Sequence, residues 1–594
     1  MSYIKRLYSC IEGIFWSNQL KNKKEMSLGS ILERQTSRFR DKPLIIFEDR
    51  VTSYTQFNET ANTYAHFFQK RGFIKGDTVA LFMGNRPEFL LIHSGLAKIG
   101  VIPALLNSTL AGKELVHAIN IVEPRALIMG HECMNEFLKI KNDVKLKKPG
   151  SIFIETEGGG KKIPSGMEDL RSLALKEPVS NPSTLPPVNS KDVIEYIYTS
   201  GVTALPRAVE VKQQKWLQLG FTAGGRALRS VSDDTQYLCL PLYNNLAINI
   251  AWPVTLLHGG TLVLAREFSA ESFWDDIKKS RATLWLYNGE MCMRLYNRPP
   301  GEEDSRNTLK FMLGTGLRTA YWSGFKKRFG IEKIIEIYAL SEGPGMLLNI
   351  KGIPGMAGRI NVSTGKPGVP VSYITVKNEL VRDAAGLAVK CRPGESGMYL
   401  ASGSRSYPFP GYKNDKVATA AHLTGDVMKK GDNYFISGDI FKMHKGGYVS
   451  FSERSDDIFI WKGEEIFPGE LSDVIARYGI SGEVCVYGVN VKNMQGLAPM
   501  AAFPLLQGIK PDMNDFGSYI TENLSVNKGP YFIRIMKEKD YLRCSVKQKT
   551  RLQKEGYNPE LIKDQLYFLD PESRRYVRIT KKVYDDIRKG IYKF

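Results

Sequence analysis

Between Leu44 and Gly130 the spacing of apolar positions changes several times, and each change marks an element. Leu44–Phe47 is a short apolar run and predicts a strand. From Ser53 the period lengthens: Tyr54, Phe57, Ala61, Tyr64 and Phe68 fall on one helix face. Gly76 and Asp77 make a turn, Thr78–Met83 reads as strand, Glu88–Ile99 as helix, and Gly100–Leu105 and Ala126–Met129 as strands. Repeated βαβ units predict an α/β fold, with a mostly parallel sheet and helices on its faces. Lys141–Lys191 is polar and rich in Gly, Pro and Lys, and reads as loop and connector. Asp192–Thr199 is then a strand ending in a Ser/Thr/Gly turn, followed by strand–turn units at Thr261–Leu264, Thr283–Tyr287, Phe311–Leu313 and Ile334–Tyr338. Around Tyr448–Trp461 the strands shorten and a basic module begins. The expected domains are an N-terminal segment 1–25, a large domain 26–453 and a small C-terminal domain 454–594.

Two further apolar stretches bear on membranes. Tyr3, Ile4, Leu7, Tyr8, Ile11, Ile14, Phe15 and Trp16 alternate with Lys5 and Arg6, a pattern for a short amphipathic helix. It suits a membrane surface or a helix docked on its own domain. Leu238–Ala265 is broken by Asn244, Asn245, Asn249, Pro253 and His258, so a buried strand–loop–helix is expected and no transmembrane segment.

At 594 residues the chain is too long for one core. The net charge of +20 favours anionic partners such as nucleotide phosphates, coenzyme A or an anionic membrane. Nucleic acid is disfavoured, because there is no zinc-finger spacing, RNP-type aromatic motif or long Lys/Arg run. The seven cysteines are scattered without a C-x-x-C pair, which reads as a reducing compartment, with neither a disulfide framework nor a metal site.

Candidate chemistry begins at Tyr196–Ala208, Y-I-Y-T-S-G-V-T-A-L-P-R-A. Here a strand delivers small and hydroxylated residues and then a cation, which lets backbone N–H groups converge on phosphate. The stretch resembles the Y-T-S-G-T-T-G-L-P-K phosphate loop of the adenylate-forming superfamily, with Val202 for Thr, Ala204 for Gly and Arg207 for Lys. Other motifs of that superfamily follow in order. Leu240–Ala247 resembles its acyl-pocket segment, with Tyr243 and with Asn244 in place of His. Leu313–Arg318, containing Gly314 and Gly316, resembles the turn that packs on adenine, and Tyr338–Glu342 resembles Y-G-A-T-E. Ser437–Asp439 resembles the ribose-binding T-G-D, Arg454 the ribose-contacting arginine, and Asp456 the hinge. Trp461–Glu464 resembles the W-K-G-E turn near the pantetheine tunnel, which brings in Gly463.

The segments Ala80–Asn107, Phe268–Asp276, Gly289–Pro300, Gln553–Lys563 and Leu566–Val577 are similar to the fatty acid transport protein branch in particular. That resemblance implies a large adenylate-forming domain of mixed sheets plus a small α+β domain on a hinge. It implies ATP, Mg2+ and coenzyme A as cofactors, a long- or very-long-chain fatty acid as substrate, and peripheral association with the cytoplasmic face of a membrane. Nucleotide contacts would fall to Tyr198, Thr199, Ser200, Gly201, Thr203, Arg207, Gly314, Gly316, Tyr338, Ser341, Asp439 and Arg454, and the metal to Glu342. The family's C-terminal catalytic lysine aligns with Val546, and Lys547 follows it. Three readings stay open: Lys547 substitutes for that lysine, adenylation is slow or only the thioester half-reaction runs, or the chain binds without turnover. Oligomeric state is not legible.

Overall fold

The computed structural model describes residues 2–20, 23–147, 151–158, 163–199, 205–344, 346–363, 366–374, 377–403, 409–481, 483–506, 508–525, 527–537, 544 and 546–592, and every count below refers to these. The chain packs as two units, 1–358 with 402–423 and 359–401 with 424–594.

The first unit holds two large sheets. In one, Ile152–Glu155, Ala126–Gly130, Thr78–Phe82, Ile102–Leu106 and Val193–Thr199 lie side by side in parallel, with Arg207–Lys212 antiparallel at one edge. Parallel neighbours need crossovers, which the helices Pro87–Lys98 and Gly112–Asn120 supply. Thr78–Phe82, Ile102–Leu106 and Ala126–Gly130 are buried along their whole length, as a sheet covered on both faces requires. The second sheet runs Met346–Asn349, Lys333–Ala339, Phe311–Thr315, Leu284–Asn288, Thr235–Leu238, Thr261–Leu264, Pro43–Phe47 and Arg50–Ser53. The helix expected from Ser53 spans Tyr54–Lys70, and Ser53 and Gln56 cap each other's backbone N–H groups.

One expectation fails here. The connector Lys141–Lys191 contributes two strands, Ile152–Glu155 and Glu168–Asp169, and a helix, Leu170–Ala174. Four buried residues among Gly- and Lys-rich flanks give too short a pattern to distinguish strand from loop.

The N-terminal segment forms the helix Ser2–Gln19, docked on its own domain. One face docks on the π-helical stretch Phe221–Leu228, where a side chain on Gly13 would come within 2.8 Å of Gly225 Cα. Arg6 pairs with Asp234 at 2.8 Å, and Ser9 Oγ donates to the Ser230 carbonyl at 2.6 Å. The other face leaves Ile4, Leu7, Tyr8, Ile11, Ile14 and Phe15 exposed. Leu238–Ala265 forms a second π-helical stretch (Ala247–Ala251), the helix Trp252–His258 and the strand Thr261–Leu264. No described helix is long and apolar enough to cross a membrane.

The second unit joins an antiparallel sheet, including Gly368–Val371, Ser396–Ser402, Asn433–Met443 and Tyr448–Arg454, to a five-stranded sheet built from Cys485–Val489 onward. Its core gathers Trp461, Leu471, Phe503, Phe516 and Phe532. Residues 359–401 and 424–453 thus pack with the C-terminal part of the chain. The cysteine reading needs correcting, because Cys485 and Cys544 form a disulfide. They are 59 residues apart, and the fold brings their Cα atoms to 5.0 Å, a pairing that spacing alone cannot reveal. Cys10, Cys133, Cys239, Cys292 and Cys391 are free thiols.

Candidate active site

Ser200, Gly201, Val202, Thr203 and Ala204 lie outside the described residues, but the strands that carry them do not. Val193–Thr199 and Arg207–Lys212 pair antiparallel with Thr199 opposite Arg207, so neighbouring strands flank that segment. The Arg207 guanidinium lies 5.2 Å from the centre of the Tyr412 ring, and its Nε is 3.7 Å from Asp415 Oδ2. Tyr198 departs from its expected role. Its hydroxyl donates to the Ala118 carbonyl at 2.6 Å and burial drives its pKa well up, so it braces the strand and leaves no donor for nucleotide.

The glycine-containing turn is held by Glu336, a residue that motif reasoning missed. Glu336 Oε2 accepts the Gly316 N–H at 2.9 Å, and Oε1 accepts the Leu317 N–H at 3.0 Å and the Tyr287 hydroxyl at 2.7 Å. Burial outweighs these bonds and raises the Glu336 pKa to about 7. Gly316 has φ +84°, and a side chain on Gly314 would lie 2.1 Å from the Tyr287 carbonyl oxygen. A charged residue inside the apolar run Lys333–Ala339 was the available signal.

Six residues further on, the chain leaves that strand into Ser341 and Glu342. Tyr338 stays in the strand, opposite Leu347. The Tyr412 hydroxyl donates to Glu342 Oε1 at 3.3 Å, and the carboxylate raises the Tyr412 pKa beyond what burial does alone. Lys215, on the helix Gln213–Gly220, donates from Nζ to the Ser341 carbonyl at 2.8 Å and reaches the Gly343 carbonyl at 3.5 Å. Neither Tyr412 nor Lys215 belongs to a motif, so periodicity gave no signal for either.

The acyl-pocket pair divides. Tyr243 is half-buried, whereas Asn244 is exposed and its Oδ1 accepts the Leu246 N–H at 2.8 Å. Asn244 therefore shapes the start of the π-helical stretch. Asn85 braces the segment, donating to the Leu240 carbonyl and accepting the Leu242 N–H.

In the second unit, strand register places Asp439 directly opposite Arg454. Cross-strand neighbours on one face lie about 4.5–5.5 Å apart at Cβ, so the two expected ribose residues share one spot. Gly438, at φ +75°, lies against the Arg454 guanidinium, where a side chain would meet it at 3.7 Å. Asp456 is in the short turn Ser455–Asp457, with Arg454 NH2 4.0 Å away. Trp461 is fully buried against Tyr531 in the core of this unit, so its ring faces no tunnel directly. The adjoining Lys462 and Gly463 both have positive φ and close the hairpin Phe459–Trp461/Glu464–Ile466. The helix Val546–Glu555 begins at the catalytic-lysine position, and the side chains of Val546 and Lys547 lie outside the described residues. The same helix pairs Lys549 with Asp457 at 2.8 Å.

The residues present fit the implied cofactors. Among the described residues no three His, Cys, Asp or Glu side chains cluster as metal ligands. A single carboxylate, Glu342, fits Mg2+, which takes one or two protein carboxylates together with nucleotide phosphates and water. The glycine turn and Arg207 suit a planar base and a polyanion.

Residues 32–412 match the model of the AMP-binding enzyme family. Long-chain fatty acid transport protein 1 of Homo sapiens is 34% identical over 547 residues, covering 91% of this chain and 84% of its own. The medium/long-chain-fatty-acid–CoA ligase FadD6 of Mycobacterium tuberculosis is 30% identical over 564 residues, covering 95% and 91%. Among solved structures, an anthranilate CoA ligase in complex with anthranoyl-AMP shares the fold with a TM-score of 0.74 at 18% identity, covering 86% of this chain and 94% of its own. The chain belongs to the AMP-binding enzymes, in the branch of the long-chain fatty acid transport proteins and fatty-acid–CoA ligases.

Proposed function

We propose that the protein activates a long- or very-long-chain fatty acid with ATP, through an acyl-adenylate, and transfers it to coenzyme A. The observation that carries this reading is the Ser341–Glu342 turn, which sets one carboxylate beside the Tyr412 hydroxyl at 3.3 Å, with Arg207 against the same ring. Magnesium, held by Glu342, would supply charge neutralisation at the phosphates. Arg207 and the Thr199–Thr203 loop orient the polyphosphate, the Gly314–Gly316 turn receives adenine, and Asp439 with Arg454 receives the ribose. In-line attack by the fatty carboxylate on the α-phosphate, which breaks the α–β phosphoanhydride bond and expels pyrophosphate, then depends on positioning and on cations that offset the developing charge. Rotation of residues 454–594 about Asp456 exchanges this arrangement for the thioester-forming one, with the Trp461–Gly463 turn toward coenzyme A.

A second reading is favoured by Val546, where a methyl-tipped side chain replaces the catalytic lysine, together with Val202 and Ala204. On that reading the chain binds fatty acid and nucleotide without turnover. Fatty-acid-dependent formation of AMP and acyl-CoA, measured across chain lengths, decides between the two. Turnover supports the ligase, and no turnover with retained ATP binding supports the alternative. Given turnover, Lys547→Ala is expected to lose about 100-fold or more of the adenylation rate, as removal of one transition-state donor does. Full activity in that variant would remove Lys547 as the substitute.

The exposed apolar stripe of Ser2–Gln19 supports peripheral membrane association. Deleting residues 1–24 should abolish vesicle binding, and unchanged binding would reject this anchor.

A further inference from the structure

Lys215 has no place in the motifs above, yet it is bound to the turn that carries two of them. Its Nζ donates to the Ser341 carbonyl at 2.8 Å and reaches the Gly343 carbonyl at 3.5 Å, so it bridges the backbone on both sides of Glu342. Electrostatically it interacts with two carboxylates, Glu342 and Glu195. Glu195 is fixed in turn: Oε2 lies 2.7 Å from His93 Nε2, and Oε1 accepts from Asn249 Nδ2 at 2.8 Å. Asn249 also donates to Asn245 Oδ1 at 3.0 Å. Glu195, His93 and Asn249 are all fully buried. A linked set of polar groups therefore runs from the acyl-pocket segment, through the core, to the Ser341–Glu342 turn.

Lys215 is half-buried, and a charge drawn partly out of water is retained where partners such as these two carbonyls hold it. A lysine needed only to fill space on the helix Gln213–Gly220 would be better replaced by an apolar residue. We infer that Lys215 is a positioning residue, whose cation holds the Ser341–Gly343 backbone so that the Glu342 carboxylate and the Ser341 hydroxyl face magnesium and phosphate together. It acts through that turn and touches neither. The inference rests on the ligase reading above, because the groups it orients are that reading's magnesium and phosphate ligands. Groups that orient metal ligands typically carry about 10- to 100-fold of metal affinity or activity.

The test uses the full-length chain with Lys215→Met and Lys215→Arg. Calorimetry measures ATP binding with and without magnesium. Pyrophosphate exchange reads adenylation, and thioester formation from a supplied acyl-adenylate reads the second half-reaction. Lys215→Met should lose about 10- to 100-fold in magnesium-dependent ATP binding and in exchange. It should bind magnesium-free ATP and process supplied adenylate at wild-type levels, and Lys215→Arg should recover most of the loss. Wild-type magnesium dependence in Lys215→Met would overturn the proposal. Equal losses in both half-reactions without rescue by arginine would also overturn it and assign Lys215 a packing role. If Lys215→Met does not fold, Lys215→Gln, which keeps a donor without the charge, takes its place in every measurement. Absence of exchange in the wild-type chain would instead fail the ligase reading, and the magnesium-dependent binding difference would still judge Lys215.

Discussion

The two packing units hold their candidate residues in different ways. In the first unit several central groups are held by side-chain contacts. Glu336 accepts three hydrogen bonds to fix the glycine turn, Lys215 bridges the backbone around Glu342, and Tyr412 meets Glu342 itself. In the second unit, Asp439 and Arg454 are placed by strand register, and Asp456 lies on a short, exposed turn. Close to Asp456, the described ion pair of Lys549 with Asp457 is partly open to solvent. Preorganised donors and dipoles are worth most where charge develops, because they need no reorganisation as the reaction proceeds. A hinge has the opposite requirement: its contacts must break and re-form at small cost, which suits weak, solvent-screened ion pairs. The difference is between residues fixed by side-chain contacts and residues placed by strand register and an exposed turn.

The strongest challenge to this contrast is Glu342→Gln. If the first unit's rigidity serves charge stabilisation, adenylation should fall by about 100- to 1,000-fold, the scale for one well-placed electrostatic group. The thermal midpoint should barely change, because Glu342 is half-buried and its Tyr412 bond is long. A large drop in stability with little change in rate would show that the carboxylate is structural.

Next in size is the pH response of Glu336. Its carboxyl is raised from 4.5 to about 7, so the folded chain holds a proton that the unfolded chain releases. Its stabilising contribution is therefore complete below pH 4.5, declines as pH rises to about 7, and is flat above that. The shift corresponds to roughly 3 kcal/mol across that window. Glu155, raised similarly to about 7 by burial, adds a slope of the same sign. Denaturant unfolding between pH 4.5 and 8 should show Glu336→Gln with a visibly shallower decline than wild type. Parallel curves would mean that the three hydrogen bonds keep Glu336 ionised throughout.

The repeated βαβ pattern was readable because Thr78–Phe82, Ile102–Leu106 and Ala126–Gly130 are buried along their whole length. Their apolar runs therefore carry an unbroken signal. Motif order likewise named Asp439 and Arg454 as candidates, and strand register sets the two opposite each other. Glu336, Lys215 and Tyr412 were not readable. Their roles arise from contacts across 19, 126 and 70 residues, and a side chain that acts on distant backbone leaves no local pattern. The Cys485–Cys544 pairing escaped for the same reason. Tyr198 shows the converse error: its position in a motif suggested a ligand, and only packing shows its hydroxyl directed to Ala118.

The smallest effect is expected at the hinge, and it tests the contrast from the other side. Lys549 and Asp457 are 18% and 19% exposed and 2.8 Å apart, which leaves the pair within reach of solvent. A double-mutant cycle with Lys549→Met and Asp457→Asn should give a coupling of about 0.5–1 kcal/mol that shrinks as salt is raised. Glu453 supplies an internal gauge. Burial raises its pKa, Asp457 raises it further, and Lys549 pulls it back, so Lys549→Met should move it up and Asp457→Asn should move it down. A coupling above about 2 kcal/mol that persists in high salt would mark a locked contact, as buried pairs are. The second unit would then be as rigid at its turn as the first is at Glu342, and the helix Val546–Glu555 would be fixed to residues 455–457 instead of poised to release them.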